Sequence, residues 1–394
     1  MSLPLQSSSP SRLTAIEGLR AYLALWVVLS HAMQWSGMAE AGLTGLWAWA
    51  WQGSLAVKVF IIISGFVIFH RLEEKRESTR VFLLHRFFRI YPVYILLFLL
   101  SVPLSSASFW QALTPAAQIA QLQPTYPDWP GHTAVHVVLH IFMLHGLPPE
   151  WLVPAAPYAF LPPAWSIALE FQFYLLAPLI YALAVSGTAR ARAWLYGLCV
   201  LLLLVASKPL YALLNPLALP FYWPYFLVGI LSFFSYRHLR GRIGWPLLAC
   251  VALALFKVSG RSVNLFPVCA WLVFFGLLLE TPASRTARVL LPVFDHRVIQ
   301  YLGRISYSIY LSHWPVLVGV HLALARFGFL PGDRGHLALL LAVALPLTLA
   351  VSAILYHTIE KPGIALGRKL GGRIISLRQS APVRAKAVPE NASL

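Results

Sequence analysis

"TAIEGLRAYLALWVVLSHAMQW", residues 14–35, is the stretch whose reading decides the fold. Its length suits a membrane crossing, which needs about 20 apolar residues. Yet it holds Glu17, Arg20 and His31. Ionisable side chains are costly in lipid, and within spans they turn to a protein interior or a cavity. At about 100° per residue, Arg20 and His31 fall on one face of a helix, with Glu17 within about 60° of the same line. They are separated along the axis by ~16 Å. The stretch therefore predicts a membrane helix with an inward stripe, cationic at one end and carrying a titratable imidazole at the other.

The rest of the chain agrees on the solvent. Hydrophobic residues make up 59% of the sequence and charged residues 11%, against roughly a quarter charged in soluble domains. Apolar runs recur over roughly 16–36, 53–70, 82–102, 165–185, 193–208, 219–236, 245–258, 263–280, 305–325 and 336–358. The reading is an all-α polytopic membrane protein of about ten transmembrane helices around an intramembrane polar cavity. Residues 1–15 form a polar N-terminus, 16–363 the membrane domain, and 364–394 a basic, flexible cytoplasmic tail lying against anionic headgroups.

The net charge of +17 raises the question of nucleic acid. With the N-terminus in the cytoplasm and sides alternating, 24 of the 30 Lys and Arg fall at the inner face. That is the positive-inside rule, so the charge encodes topology and both termini are cytoplasmic. No nucleic-acid role is needed. Residues 132–147, "HTAVHVVLHIFMLHGL", are read as a re-entrant or interfacial helix in an extracytoplasmic excursion from about 103 to 164 that carries no Lys or Arg.

Four further places carry chemistry. In "FLLHRFFRIYPVY", Arg86 and Arg89 share a helix face at the cytoplasmic boundary, and paired guanidiniums suit phosphate. In "LPPAWSIALEFQFYLLAPL", Glu170 sits about one turn in from the outer side, near the depth expected of His31. A carboxylate there would orient an imidazole or line a polar cavity. "RISYSIYLSHWPVL" brings His313 with Tyr307 and Tyr310, and "YHTIEKPG" places Glu360 at the inner end of the last span, suited to pair with a cytoplasmic Arg. Lys58 either snorkels or faces the cavity. His132, His136 and His140 recur at i, i+4 and i+8 without the carboxylate of a metalloprotease motif, so no metal is expected.

These blocks resemble the membrane acyltransferase-3 family, whose mark is an Arg and a His separated by ten residues in the first helix. "EGLRAYLALWVVLSHA", "VFIIISGFVI", "HRFFRIYPVY", "WSIALEFQFYLL", "ISYSIYLSHWP" and "IEKP" look like that family's blocks in the same order, over about 16 to 362. Lys58 stands where many members have an acidic residue, and no hydrolase-like domain of the kind some members carry is visible. The resemblance implies transfer of an acyl group, usually acetyl from acetyl-CoA, to a hydroxyl of an extracytoplasmic sugar or glycan at a bacterial inner membrane. It implies His31 as base or transient acyl carrier, Glu170 as the group orienting His31 or the acceptor, and Arg20, Arg86 and Arg89 as the donor-binding cluster. Trp165, Tyr310 and His313 are candidate acceptor contacts, and Trp129 and Trp151 offer flat apolar surface for a sugar ring. Polysaccharide, lipopolysaccharide, a lipid-linked glycan and a small glycoside such as a macrolide all fit as acceptor. A transporter or flippase for a lipid-linked sugar, and a non-catalytic membrane partner, are the rival readings.

Overall fold

The structure, a computed structural model, describes residues 11–37, 42–104, 133–205, 213–258, 263–281, 283–329 and 334–380. Among these every regular element is helical. The first helix, α1 (Ser11–Trp35), is followed by α2 (Gly45–Trp51), α3 (Gly53–Lys75) and α4 (Thr79–Leu104). Next come α5 (Thr133–Ile141), α6 (Trp165–Val185), α7 (Ala189–Val205), α8 (Leu219–Leu239), α9 (Trp245–Val258) and α10 (Phe266–Leu279). The chain ends with α11 (Arg285–Asp295), α12 (Arg297–Arg304), α13 (Ser306–Arg326), α14 (Arg334–Leu355), a π-helical segment (Tyr356–Glu360) and α15 (Lys361–Ser380).

Each of the ten apolar runs coincides with a helix. By length and composition, however, six segments among the described residues are able to cross a membrane: Leu13–Trp35, Gly53–Lys75, Thr79–Leu104, Pro162–Val185, Ser306–Arg326 and Gly335–Ser376. Helices α9 and α10 are apolar but have 14 residues each. That is about 21 Å at 1.5 Å per residue, short of a hydrocarbon core about 30 Å thick. Helix α5 has nine residues and is shorter still.

Close helix packing rests on glycines. A Cβ at Gly65 of α3 would lie 2.4 Å from the Phe226 carbonyl oxygen, and one at Gly229 of α8 would lie 2.0 Å from that of Ile62. The two backbones touch, as small residues permit in membranes. The same device binds the N-terminal end of α1 to α11 and α12. There a Cβ at Gly18 would lie 2.1 Å from the Phe294 oxygen, and one at Gly303 would lie 2.0 Å from that of Glu17. Hydrogen bonds from Gln300 Nε2 to the Thr14 carbonyl (2.8 Å) and from Thr14 Oγ1 to Asp295 (3.0 Å) complete this seat. Arg20 thus starts from a rigid base.

The expectation of a flexible tail from 364 is corrected for 364–380, which are helical and continue α14 through the π segment. Gly363, Gly367 and Gly371, one turn apart, lay this helix on α4. A Cβ at Gly367 would meet Phe88 Cβ at 2.8 Å, and one at Gly371 would meet His85 Nε2 at 2.7 Å. Composition reads as disorder here because the glycines that weaken an isolated helix are the ones that let this one pack. Residues 381–394 lie outside the described residues.

Candidate active site

Helices α1, α3, α4, α6, α8 and α13 line a cavity of about 110 Å³. Its wall on α3 runs from Val57 to Ile68, about 16 Å of helix axis, or half the hydrocarbon core. One part of the lining is cationic: Arg20, Arg86 and Arg89 contribute to it, from α1 and α4. Phe60, Ser166 and Tyr310 line it from α3, α6 and α13.

The three arginines are not equivalent. Arg89 Nη1 lies 2.6 Å from Glu360 Oε1, and Ser308 Oγ donates to the other carboxylate oxygen at 2.7 Å. Its charge is balanced by a fully buried partner, as expected of Glu360 from the sequence. Arg20 and Arg86, by contrast, have no ion pair or hydrogen bond among the described residues; the pairing of Arg20 with Glu17 that i,i+3 spacing suggests is not made. Arg86 stacks over the rings of Phe82 and Tyr174, each 5.8 Å away, and its Nε is buried without a partner. Two guanidiniums short of acceptors, opening on one cavity, are suited to a ligand rich in anionic oxygens.

Beside Tyr310, outside the lining, stand two imidazoles. His31 Nδ1 is 2.8 Å from His313 Nε2, with the rings stacked at 5.0 Å. The other nitrogen of His313, Nδ1, is 3.2 Å from the Ile309 carbonyl, which can only accept. In the neutral pair His313 therefore donates from Nδ1 and accepts at Nε2. His31 must donate from Nδ1, which leaves the bare lone pair on His31 Nε2. A base oriented by a second group that steadies its positive form is the logic of a catalytic triad. Trp314 abuts His31 edge-on at 5.5 Å and closes one side.

The sequence placed Glu170 at the depth of His31, and here the structure differs. Glu170 lines the cavity with the arginines and accepts hydrogen bonds from Ser64 Oγ (2.8 Å) and Tyr174 Oη (2.5 Å). The hydrogen-bond partner of His31 is His313 instead. The cause is local. A 3-10 turn, Pro162–Ala164, precedes α6 and is itself buried, so α6 begins inside the protein rather than at its rim. Tyr310 lines the cavity, donating to the Pro163 carbonyl (2.9 Å) and sharing a hydrogen bond with Ser166 (2.8 Å). Trp165 packs on Tyr222 at 5.3 Å and is not part of the lining. Lys58 donates to Asn264 Oδ1 at 3.0 Å and lies over Tyr225, away from the arginines. Trp151 is largely exposed; Trp129 and His132 lie outside the described residues. His136 and His140 are buried on one face of α5, and His140 stacks on His145 at 4.0 Å.

An arginine cavity leading to an imidazole in the plane of a membrane is what the resemblance implies, and comparison decides it. The acyltransferase-3 profile, described as an acyltransferase domain, matches residues 13–357. The chain belongs to that family. It is a multi-pass membrane acyltransferase, and the transport and docking readings fall away. Acyltransferase MdmB of Streptomyces mycarofaciens is 28% identical over 389 residues, covering 91% of this chain and 93% of that protein. BcsY of Komagataeibacter xylinus is 26% identical over 373 residues, 89% of this chain and 82% of its own. The peptidoglycan O-acetyltransferase OatA of Listeria monocytogenes is 24% identical over 330 residues, 77% of this chain but 49% of its own. No solved structure matches the acyltransferase.

His313, expected as an acceptor contact, also pairs with His31, which the sequence reading did not foresee. The signal for its pairing was present: it is a second imidazole inside an apolar span, three residues after Tyr310 on one helix face. What spacing within one helix cannot say is which other helix that face meets.

Proposed function

We propose that this acyltransferase moves a short acyl group, acetyl foremost, from cytoplasmic acyl-CoA to a hydroxyl of an extracytoplasmic sugar or glycan, with His31 as general base. The observation that carries the reading is the pair of guanidiniums, Arg20 and Arg86, without an ion pair or hydrogen bond among the described residues, in a cavity whose lining residue Tyr310 touches His313 of the His31–His313 pair. The phosphates of coenzyme A supply the acceptors these arginines lack, and Arg89, using one donor on Glu360, has others to spare. The pantetheine arm then runs outward along the cavity. The glycan class of acceptor is supported by OatA, named for peptidoglycan, and a cell-surface location such as the bacterial inner membrane follows from it.

At the imidazole pair, His31 Nε2 takes the proton of the attacking hydroxyl as its oxygen forms the ester bond to the acyl carbon. The carbon–sulfur bond breaks, and the departing thiolate receives the proton, giving the ester and the free thiol. His313 Nε2 accepts from His31 Nδ1–H throughout, holding the imidazolium while it exists. Glu170 is the counter-charge that keeps the arginine cavity from being purely cationic.

The test is turnover in proteoliposomes loaded with acetyl-CoA, read by mass spectrometry of the acylated acceptor. His31→Ala should lower kcat by about 10²–10⁴-fold, with the variant still inserting and eluting as wild type. His313→Ala should fall short of that loss, because the base survives without its orienting partner. Wild-type turnover by His31→Ala would overturn the mechanism.

A further inference from the structure

The stripe predicted on α1 is not an open channel. Between Arg20 and His31 on the same face stand Ala24 and Val28, one turn apart. Both are buried, with Ile305, between α12 and α13, and Ile309 of α13, in a small apolar cluster separate from the main core, and Phe60 of α3 packs against it. Phe60 also lines the arginine cavity. Its ring meets that of Tyr310 edge-on, 6.2 Å between centroids at 63°. Tyr310 is pinned by Ser166 and the Pro163 carbonyl, and its ring centroid is 6.0 Å from that of His313. Neither His31 nor His313 is in the lining. Tyr310 therefore stands between Phe60 and His313, in ring contact with both.

We propose that Phe60, closing against Tyr310, is the sieve that sets the acyl length this enzyme transfers. The proposal rests on the acyl-CoA reading above and goes beyond it by naming the residue that limits the acyl group. Of the two rings, Phe60 is the movable one: it is half-buried and has no polar anchor, whereas Tyr310 Oη is held at two points. A thioester carried outward must displace the Phe60 ring to bring its carbonyl to His31. A two- or three-carbon group passes within the width of a turned ring. Each further methylene must be housed among Ala24, Val28 and Ile309, which are fully packed. Misfit of one methylene in an apolar pocket is worth about 10–200-fold in kcat/KM.

The experiment compares acetyl-, butyryl- and hexanoyl-CoA as donors with purified wild type, Phe60→Ala and Phe60→Trp in proteoliposomes. Wild type should use acetyl-CoA with a steep fall along the series. Phe60→Ala should raise the butyryl-to-acetyl ratio of kcat/KM by about tenfold or more, and Phe60→Trp should steepen the wild-type fall. Should Phe60→Ala not fold, Phe60→Leu serves, with a smaller change of the same sign. An unchanged ratio in a variant that retains acetyl transfer overturns the sieve and leaves the acyl-CoA reading standing. Absence of acyl-CoA-dependent transfer by wild type overturns both.

Discussion

Removing the carboxylate of Glu360 tests whether Arg89 is held by the fold or kept for a ligand. Glu360 is fully buried, with Arg89 Nη1 at 2.6 Å and Ser308 Oγ at 2.7 Å. Deleting one member of a buried pair leaves the other uncompensated, at about 3–5 kcal/mol. Two details locate Glu360→Ala within that range. The Arg89 side chain is 24% exposed, so cavity water offsets part of the loss. Ser308 loses its acceptor, which adds about 1 kcal/mol. The expected destabilisation is about 3–4 kcal/mol. The double variant Arg89→Leu/Glu360→Leu removes both charges, and apolar replacement of a buried pair is often close to neutral. It should therefore recover most of the loss, with a coupling energy of about 2–3 kcal/mol. Reversible denaturation in mixed micelles of the wild type, Arg89→Leu, Glu360→Leu and the double variant gives the cycle. A cost under about 1 kcal/mol for Glu360→Ala, or a double variant no better than the worse single, refutes the reasoning.

Two further outcomes follow from the same geometry. Arg20→Ala and Arg86→Ala should each raise KM for acetyl-CoA by about 10–100-fold, the worth of a charge-assisted hydrogen bond of about 1.5–3 kcal/mol, while kcat changes less; unchanged KM in both would reduce them to topology anchors. Gly367→Leu should lift α15 from Phe88 and open Arg368 and Lys369 to trypsin in detergent micelles; digestion at the wild-type rate would show that the glycine stripe does not hold this helix.

How much of this could be read in advance differs by element. The membrane setting and the inward stripe of α1 follow from hydropathy and charge alone, because lipid penalises ions so heavily that their presence in an apolar run already implies an interior to face. Membership in the family was likewise legible, since six short blocks in one order are a property of the linear chain. Span lengths were less so: α9 and α10 look like full crossings in hydropathy but are 14 residues long, and apolarity does not say where a helix stops. Residues 364–380 were misread because glycine lowers intrinsic helix propensity, and only a neighbour such as Phe88 turns that into close packing.

By itself the sequence determined the solvent, the helical class, the polar face of α1 and the chemistry available on it, because each depends on residues within one or two turns of one another. Tertiary structure alone decided that His31 meets His313, that Arg89 is engaged by Glu360 while Arg20 and Arg86 are not, and that Phe60 meets Tyr310 at the cavity. Each of those facts joins residues from 250 to 282 positions apart in the chain. Distances of that kind arise from how helices cross, and crossing is set by where small residues let backbones touch.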